Sequence, residues 1–376
     1  MKRKIGTIPQ SQVYMLFTQY LFTSTIGFLL TPLIQIAHFS SWICVIVGAI
    51  FGLAVTYGSY RLAIRRPDQF FGVYGKEIVG KWLHVPVIIF MVISYMYVAS
   101  AIMRQLLDLL IQFYLPLTPL WAAAALFGVC LAYSVRSGIE SIFRAAQGIF
   151  FFSIAGIVVI PFLIYTQIDS NMVIALINHF DFKMVWNGTI FIESLFGEMA
   201  FIPFIYPYFT RGGTTMRSLG WATFTSVLVI LASLIPAILV FGPDLAGNLS
   251  YTELELLRYS SPRSHLANLD PALIAIWMSS LFIKISLFLF VAIVGLTQVF
   301  SLKDHKPFAL SMSTAAVILS LILVRSVPEL DHMLSHGGTA LVIITGVIPL
   351  IYLLVDWIRS FSSNKEKKTL SENKEG

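Results

Sequence analysis

Ten stretches of about twenty predominantly apolar residues follow one another along the chain, and no other feature limits its fold as strongly. A helix needs roughly 20 such residues to cross the hydrocarbon core of a bilayer. The stretches lie at Gln12–Ala37, Ser41–Leu62, Val85–Phe113, Leu117–Ser134, Ala145–Tyr165, Trp186–Phe209, Leu219–Phe241, Pro271–Leu302, Phe308–Val324 and Gly338–Ile358. Most connections are short and polar. Two are longer, Thr166–Val185 and Gly242–Asp270, and the second contains Tyr251–Arg258, which reads as a short surface helix. With 57% hydrophobic and 12% charged residues, the chain is too apolar for a soluble enzyme or a disordered protein. The expectation is an all-α integral membrane domain over residues 1–359, with helices 1–5 at about 12–165 and helices 6–10 at about 186–358. A Ser/Asn/Lys/Glu-rich tail, 360–376, reads as disordered on the cytoplasmic side. The first apolar run is too long for a signal peptide and has no small-residue cleavage site after it.

Basic residues set the orientation. Of the 25 Lys and Arg, 19 fall on the side of the N-terminus and 4 on the opposite side, while Arg104 and Lys284 lie within helices. The alternation through every loop predicts that both termini are cytoplasmic.

Two helices look broken. Ser24-Thr25-Ile26-Gly27 interrupts the first, with Pro32 five residues beyond Gly27; Gly197-Glu198-Met199-Ala200 interrupts the sixth, with Pro203 six residues beyond Gly197. Gly and Pro weaken a helix interior. In hydrocarbon, such a break is tolerated where it is buried or lines a cavity. Helices one and six occupy equivalent places in a five-plus-five arrangement and cross in opposite directions. That is the pattern of an inverted-repeat (LeuT-like) transporter fold with its site at two discontinuous helices.

Charges near the bilayer centre are expensive and therefore point to function. Arg104 and Asp108 on helix three, Glu193 on helix six and Lys284 on helix eight form the predicted intramembrane charge network, while Glu198, inside the break of helix six, is a predicted site residue. Tyr97, Ala101, Arg104 and Asp108 share one helical face, which should point into the bundle, and Arg104 can pair with Asp108 at i, i+4. Lys284 needs either a carboxylate, Glu193 or Glu198, or the backbone carbonyls of a broken helix. Thr25, Ile26, Gly27, Tyr97, Gly197, Glu198 and Met199 are the predicted ligand-binding residues, with backbone amides at Thr25–Gly27 facing an anionic group.

Other features read as structural. Gly48-x-x-x-Gly52 permits close helix packing. The seven histidines read as solvated residues of loops and helix ends, without metal-ligand spacing, and Cys44 and Cys130 as buried apolar residues. No P-loop, nucleophile elbow, zinc-protease or dinucleotide motif is present. The reading is a non-enzyme without cofactor, metal or nucleic-acid partner.

Several segments together carry a family resemblance. They are Ile5-Gly6-Thr7-Ile8-Pro9-Gln10-Ser11-Gln12, Leu30-Thr31-Pro32, Arg66-Pro67-Asp68-Gln69 through Gly75-Lys76-Glu77-Ile78-Val79-Gly80-Lys81, and Phe196-Gly197-Glu198 through Phe204-Ile205-Tyr206-Pro207. The chain resembles the B subunits of bacterial spore nutrient germinant receptors, an endospore germination permease family related to the amino acid–polyamine–organocation transporters. The resemblance implies a germinant-sensing subunit in the inner membrane of a dormant spore. It would act with an A subunit and a lipoprotein C subunit and bind a small nutrient, with amino acids the leading class. The alternative is a secondary transporter coupling amino-acid uptake to protons through Glu198 or Lys284.

Overall fold

The computed structural model describes residues 6–164, 167–168, 170–210, 213–260, 270–302, 304–323 and 337–375. Lys2, Arg3, Lys4, Ile5, Arg211, Arg263, Lys303, Arg325, His265, His332, His336 and the predicted helix ends Tyr165 and Val324 lie outside them. Among the described residues, eight helical segments are long and apolar enough to cross a membrane. The first, Gln10–Ile64, has 55 residues. Straight, it would extend about 80 Å at 1.5 Å per residue. It instead folds back at His38, whose φ is 46°, and so makes two crossings. The shorter apolar helix Lys306–Ile322 brings the crossings to ten, matching the sequence expectation.

The first crossing comprises α1 (Gln10–Ser24), a π-helical turn (Thr25–Leu29) and α2 (Leu30–Ala37). The second to fifth are α3 (Ser41–Ile64), α5 (Lys81–Phe113), α6 (Leu120–Ser137) and α7 (Ile139–Ile164). The sixth is α9 (Phe182–Gly197), a 3₁₀ turn (Glu198–Phe201), α10 (Ile202–Ile205) and a second 3₁₀ turn (Tyr206–Tyr208). The seventh to tenth are α11 (Thr215–Ala246), α13 (Asp270–Val299), α14 (Lys306–Ile322) and α15 (Thr339–Glu375). The connections hold α4 (Phe71–Val79), α8 (Ser170–Asn178) and α12 (Thr252–Ser260). Of these only α12 was legible beforehand. Gly242, with φ 71°, bends α11 where the apolar run ends. The last helix continues to Glu375, through the stretch read as a disordered tail. Lys, Glu and Leu there are good helix formers, and no Pro or Gly interrupts them before Gly376.

Packing follows the exchange of one five-helix half for the other. The first crossing packs on the seventh, and the sixth on the second. The fifth packs on the first, and the tenth on the sixth. The second packs on the tenth, and the seventh on the fifth. The connecting helices obey the same exchange: α4 follows the second crossing, and α12 follows the seventh. The fold is a 5+5 inverted repeat.

Gly48 and Gly52 let the second crossing approach the backbone of the sixth closely. A Cβ at Gly48 would meet Ile192 and the Thr189 carbonyl at 2.7–2.9 Å, and one at Gly52 would overlap Phe196 and lie 2.8 Å from the Gly197 nitrogen. The motif read as packing thus seats the second crossing on the interrupted part of the sixth.

The side carrying the termini is tightly sealed. The N-terminal segment pairs with the end of the sixth crossing: the amides of Thr7 and Ile8 donate to the Tyr208 carbonyl, and Thr210 N–H donates to the Ile8 carbonyl. Arg65 and Arg66 both pair with Asp356 of α15. His84 is buried, its ring nitrogens within hydrogen-bond distance of the Tyr352 hydroxyl and the Gly72 carbonyl, so the solvated reading fails for this histidine. It sits where α5 meets α4 and the tenth crossing. Cys44 is buried as expected, but Cys130 is exposed on the outer face of α6, where hydrocarbon would cover an apolar thiol.

Candidate functional site

Both interruptions are changes of hydrogen-bond register within continuous helix rather than unwound breaks. Pro32 has no N–H for the carbonyl one turn before it, and the π turn lies just ahead of it. Pro203 and Pro207 each sit in the first turn of the segment they open, where the missing N–H does no harm. The 3₁₀ turn at Glu198–Phe201 therefore ends against a proline.

Glu198 and Lys284 meet at the centre. Lys284 Nζ lies 2.7 Å from Glu198 Oε2, with the two side chains 1% and 4% exposed. The ammonium also sits over the Tyr20 ring, 4.4 Å from its centroid, a favourable place for a desolvated cation. Between the two carboxylates open to it, Lys284 takes Glu198. Glu193, one turn earlier, is half-buried, with Oε1 at 3.2 Å from where a Cβ on Gly197 would lie.

A cavity of about 50 Å3 opens beside Glu198. Its walls are Ser24 and Leu29 of the first crossing, Tyr97, Val98, Ile102 and Gln105 of α5, Phe191, Ser194 and Leu195 of α9, and Gly338, Thr339 and Val342 of the tenth crossing. These residues run from mid-helix toward the side opposite the termini. The Ser24 hydroxyl is buried and has no hydrogen-bond partner among the described residues. An orphaned buried hydroxyl of this kind calls for a ligand or water. On the other side of Glu198 a void of about 10 Å3, near the size of one water, lies against Ser94, Tyr95, Gly197 and Gly346. Toward the termini the floor is aromatic: Phe201 packs on Phe17, Tyr20, Tyr95 and Phe288 with centroids 5.7–6.2 Å apart. The cavity is therefore closed at one end of the molecule and extends toward the other.

The remaining sequence-chosen residues divide. Tyr97, Glu198 and Gly197 line these voids. Thr25 is buried, with its hydroxyl donating to the Leu21 carbonyl, and Met199 is wholly buried in the core. A Cβ on Gly27 would overlap the Trp277 indole, so Gly27 is there for packing rather than for access to a ligand. Ile26 faces a different cavity. Arg104 and Asp108 form their expected pair, Nε lying 2.8 and 3.0 Å from the two carboxylate oxygens. The Arg104 guanidinium also reaches the Ser320 and Leu321 carbonyls at 3.4 Å, at the end of α14, where helix carbonyls lack intrahelical partners. The pair ties two helices together and lies outside the cavity wall.

Sequence reasoning placed Ser24 in the first interruption but not among the ligand-binding residues, and it missed Gln105 and Ser194. Gln105 and Ser194 adjoin the conspicuous charges Arg104 and Glu193, and a one-residue rotation of either helix would have exposed them. It also missed a polar cluster across three crossings. Ser153 and Ser280 hydroxyls lie 3.0 Å apart, both near Gln19 Oε1, while Gln19 Nε2 donates to the Ala146 carbonyl at 2.6 Å.

Comparison with known proteins agrees with the fold and the resemblance. A family model described as "Spore germination protein" matches residues 7–329. Spore germination protein KB of Bacillus subtilis (strain 168) is 24% identical over 77% of this chain and 78% of its own length. The putative spore germination protein YfkT of the same organism is 23% identical over 90% and 94%. Among solved structures, Mhp1, a nucleobase-cation-symport-1 family transporter in a closed conformation with bromovinylhydantoin bound, superposes with a TM-score of 0.63. The match covers 92% of this chain and 80% of that one at 11% identity, which bears on fold alone. An integral membrane chain with this architecture, matched over most of its length, belongs to the spore germination protein family.

Proposed function

We propose that the chain is the membrane subunit of a spore nutrient germinant receptor. It binds a small nutrient, an amino acid, in the cavity beside Glu198 and passes a conformational signal to A and C partner subunits. The observation that carries this reading is the meeting of the two equivalent helix irregularities at one cavity, where a buried ion pair adjoins the orphaned Ser24 hydroxyl. An amino acid's ammonium would face Glu198, and its carboxylate the hydroxyls of Ser24 and Tyr97 and the Gln105 amide. At about 50 Å3 the cavity holds only a few waters, so binding requires the helices to part. That movement is the proposed signal. With both termini cytoplasmic, the open end faces the outside of the spore inner membrane, the side from which nutrient arrives.

The Mhp1-like fold equally suits a proton-coupled transporter. Spores lacking this chain should lose the response to one nutrient class. Uptake of the same labelled nutrient, measured in parallel, should be unchanged; loss of uptake with germination intact would support the transporter and overturn the receptor.

Tyr97 gives a graded test. Tyr97→Phe removes one hydrogen bond, worth about 1 kcal/mol, and should raise the half-maximal nutrient concentration about fivefold. Tyr97→Ala also removes the ring and should raise it further, by more than about tenfold. Identical dose–response curves for the three proteins would place the ligand elsewhere.

A further inference from the structure

A second cavity, of about 70 Å3, lies on the other face of the first crossing, enclosed by α1, α7, α12 and α13. Its lining is almost wholly apolar, with Phe22, Ile26, Ile157, Leu257, Ile274 and Trp277 prominent. One acidic side chain enters it, Glu253 of the connecting helix α12. Glu253 Oε1 accepts a hydrogen bond from the Ser233 hydroxyl at 2.9 Å. Oε2 is shut off from solvent and has no hydrogen-bond partner among the described residues.

No described cation is paired with this carboxylate. On its own helix, Glu255 and Arg258 lie 3.6 Å from each other, and Arg258 stacks on Phe113. On α11, Asp244 is 95% exposed and faces His38. On α7, Glu140 pairs with Arg144 at the opposite end of the helix, and on α13, Lys284 is taken by Glu198. The side that α2 presents to α12 is neutral: Thr31 Oγ1 lies 2.6 Å from Thr252 Oγ1. Burial pushes the Glu253 carboxyl up to about 7, so near neutral pH a cation arriving in the cavity would hold it ionised.

We propose that this cavity is a second ligand site, which takes a small alkylammonium ion by pairing it with Glu253. The chemistry selects a cation with a short apolar body. The carboxylate supplies the charge, and the aromatic side chains of Phe22 and Trp277 in the wall supply apolar contact and a surface that favours a cation. A free amino acid is excluded, because the donors in the described lining are already engaged: the Ser153 and Ser280 hydroxyls with each other and with Gln19 Oε1, and Trp277 Nε1 with the Thr23 carbonyl, so none is left for its carboxylate. Size points the same way: an apolar cavity of roughly 150 Å3 holds benzene, and this one is about half as large. The site also shares a wall with the central cavity. Phe22 and Ile26 face one side and Ser24 the other, so a cation here bears on the π turn from behind and couples to nutrient binding.

The test uses the purified full-length protein in detergent and ethylammonium chloride as probe, with sodium chloride at equal ionic strength as control. Saturable binding, followed by calorimetry or the thermal midpoint, is expected at pH 8.5. Alkylamines stay protonated at both pH values used, as lysine does, while Glu253 becomes neutral as pH falls through about 7. The dissociation constant should therefore rise more than about tenfold at pH 5.5. Glu253→Gln should abolish binding at both pH values. Ile157→Trp, which fills the cavity and leaves the carboxylate intact, should abolish it as well and serves if the first variant folds poorly. Absence of a saturable effect in the parent at pH 8.5, or equal binding by Glu253→Gln, would overturn the proposal.

Discussion

Glu198→Gln and Lys284→Met will each strip most of the chain from the spore membrane or silence its nutrient response, and the double variant will recover much of what either loses. The two groups are 2.7 Å apart and almost wholly enclosed. Removing one partner leaves an uncompensated buried charge, typically at a cost of about 3–5 kcal/mol. Removing both leaves a neutral amide and a thioether in a site that already contains Tyr20, Tyr95 and Phe288. Their combined loss should therefore be far smaller than the sum of the two. Membrane level and dose–response of the three variants in spores measure this. Strictly additive losses would show that the pair is not coupled in the functioning protein.

Gly52→Leu should have the second large effect, with almost no folded protein reaching the membrane. Its Cβ alone would overlap Phe196 and press on the Gly197 nitrogen. Neither the backbone of the sixth crossing nor a wholly buried phenylalanine can retreat without opening the helix contact on which Glu198 depends. Overpacking of this kind commonly costs about 1–3 kcal/mol in a core that can adjust; here part of the obstacle is backbone. Gly220→Leu is the control, since nothing lies within 4 Å of where its Cβ would be. Equal membrane levels for the two variants would refute the packing role assigned to Gly52.

The membrane class, the crossings and the inverted repeat were all legible in the sequence, because each rests on apolar run length or on residue types at equivalent places. The Glu198–Lys284 pair was legible as a possibility, since each charge needs a partner at that depth, but Glu193 could not be set aside without coordinates. The form of the interruptions was not legible. Gly and Pro announce that the hydrogen-bond ladder must change, yet a π turn, a 3₁₀ turn and an unwound break answer that need equally well. That difference decides the site. In a π turn the chain stays helical, so Ser24 faces the cavity, Ile26 faces away from it and Gly27 lies under Trp277. The Tyr97–Arg104–Asp108 face was drawn correctly as a stripe, but its charged end turns to the carbonyls of α14, and the cavity is lined by the neighbouring stripe of Val98, Ile102 and Gln105. His84 was read as solvated and Glu253 as part of a surface helix, because the contacts that enclose them depend on α4 and α12, short helices packed back onto the bundle.

The central claim is that nutrient occupies the space between Ser24 and Glu198, and the most direct measurement is protection of a thiol placed there. In a background of Cys44→Ala and Cys130→Ser, Ser24→Cys should react slowly with a small membrane-permeant maleimide in spores that respond to a nutrient. The same nutrient should suppress labelling, half-maximally at the concentration that half-maximally triggers germination. A stereoisomer that fails to trigger should not protect. Labelling unchanged at saturating nutrient, in spores that still germinate, would contradict the account.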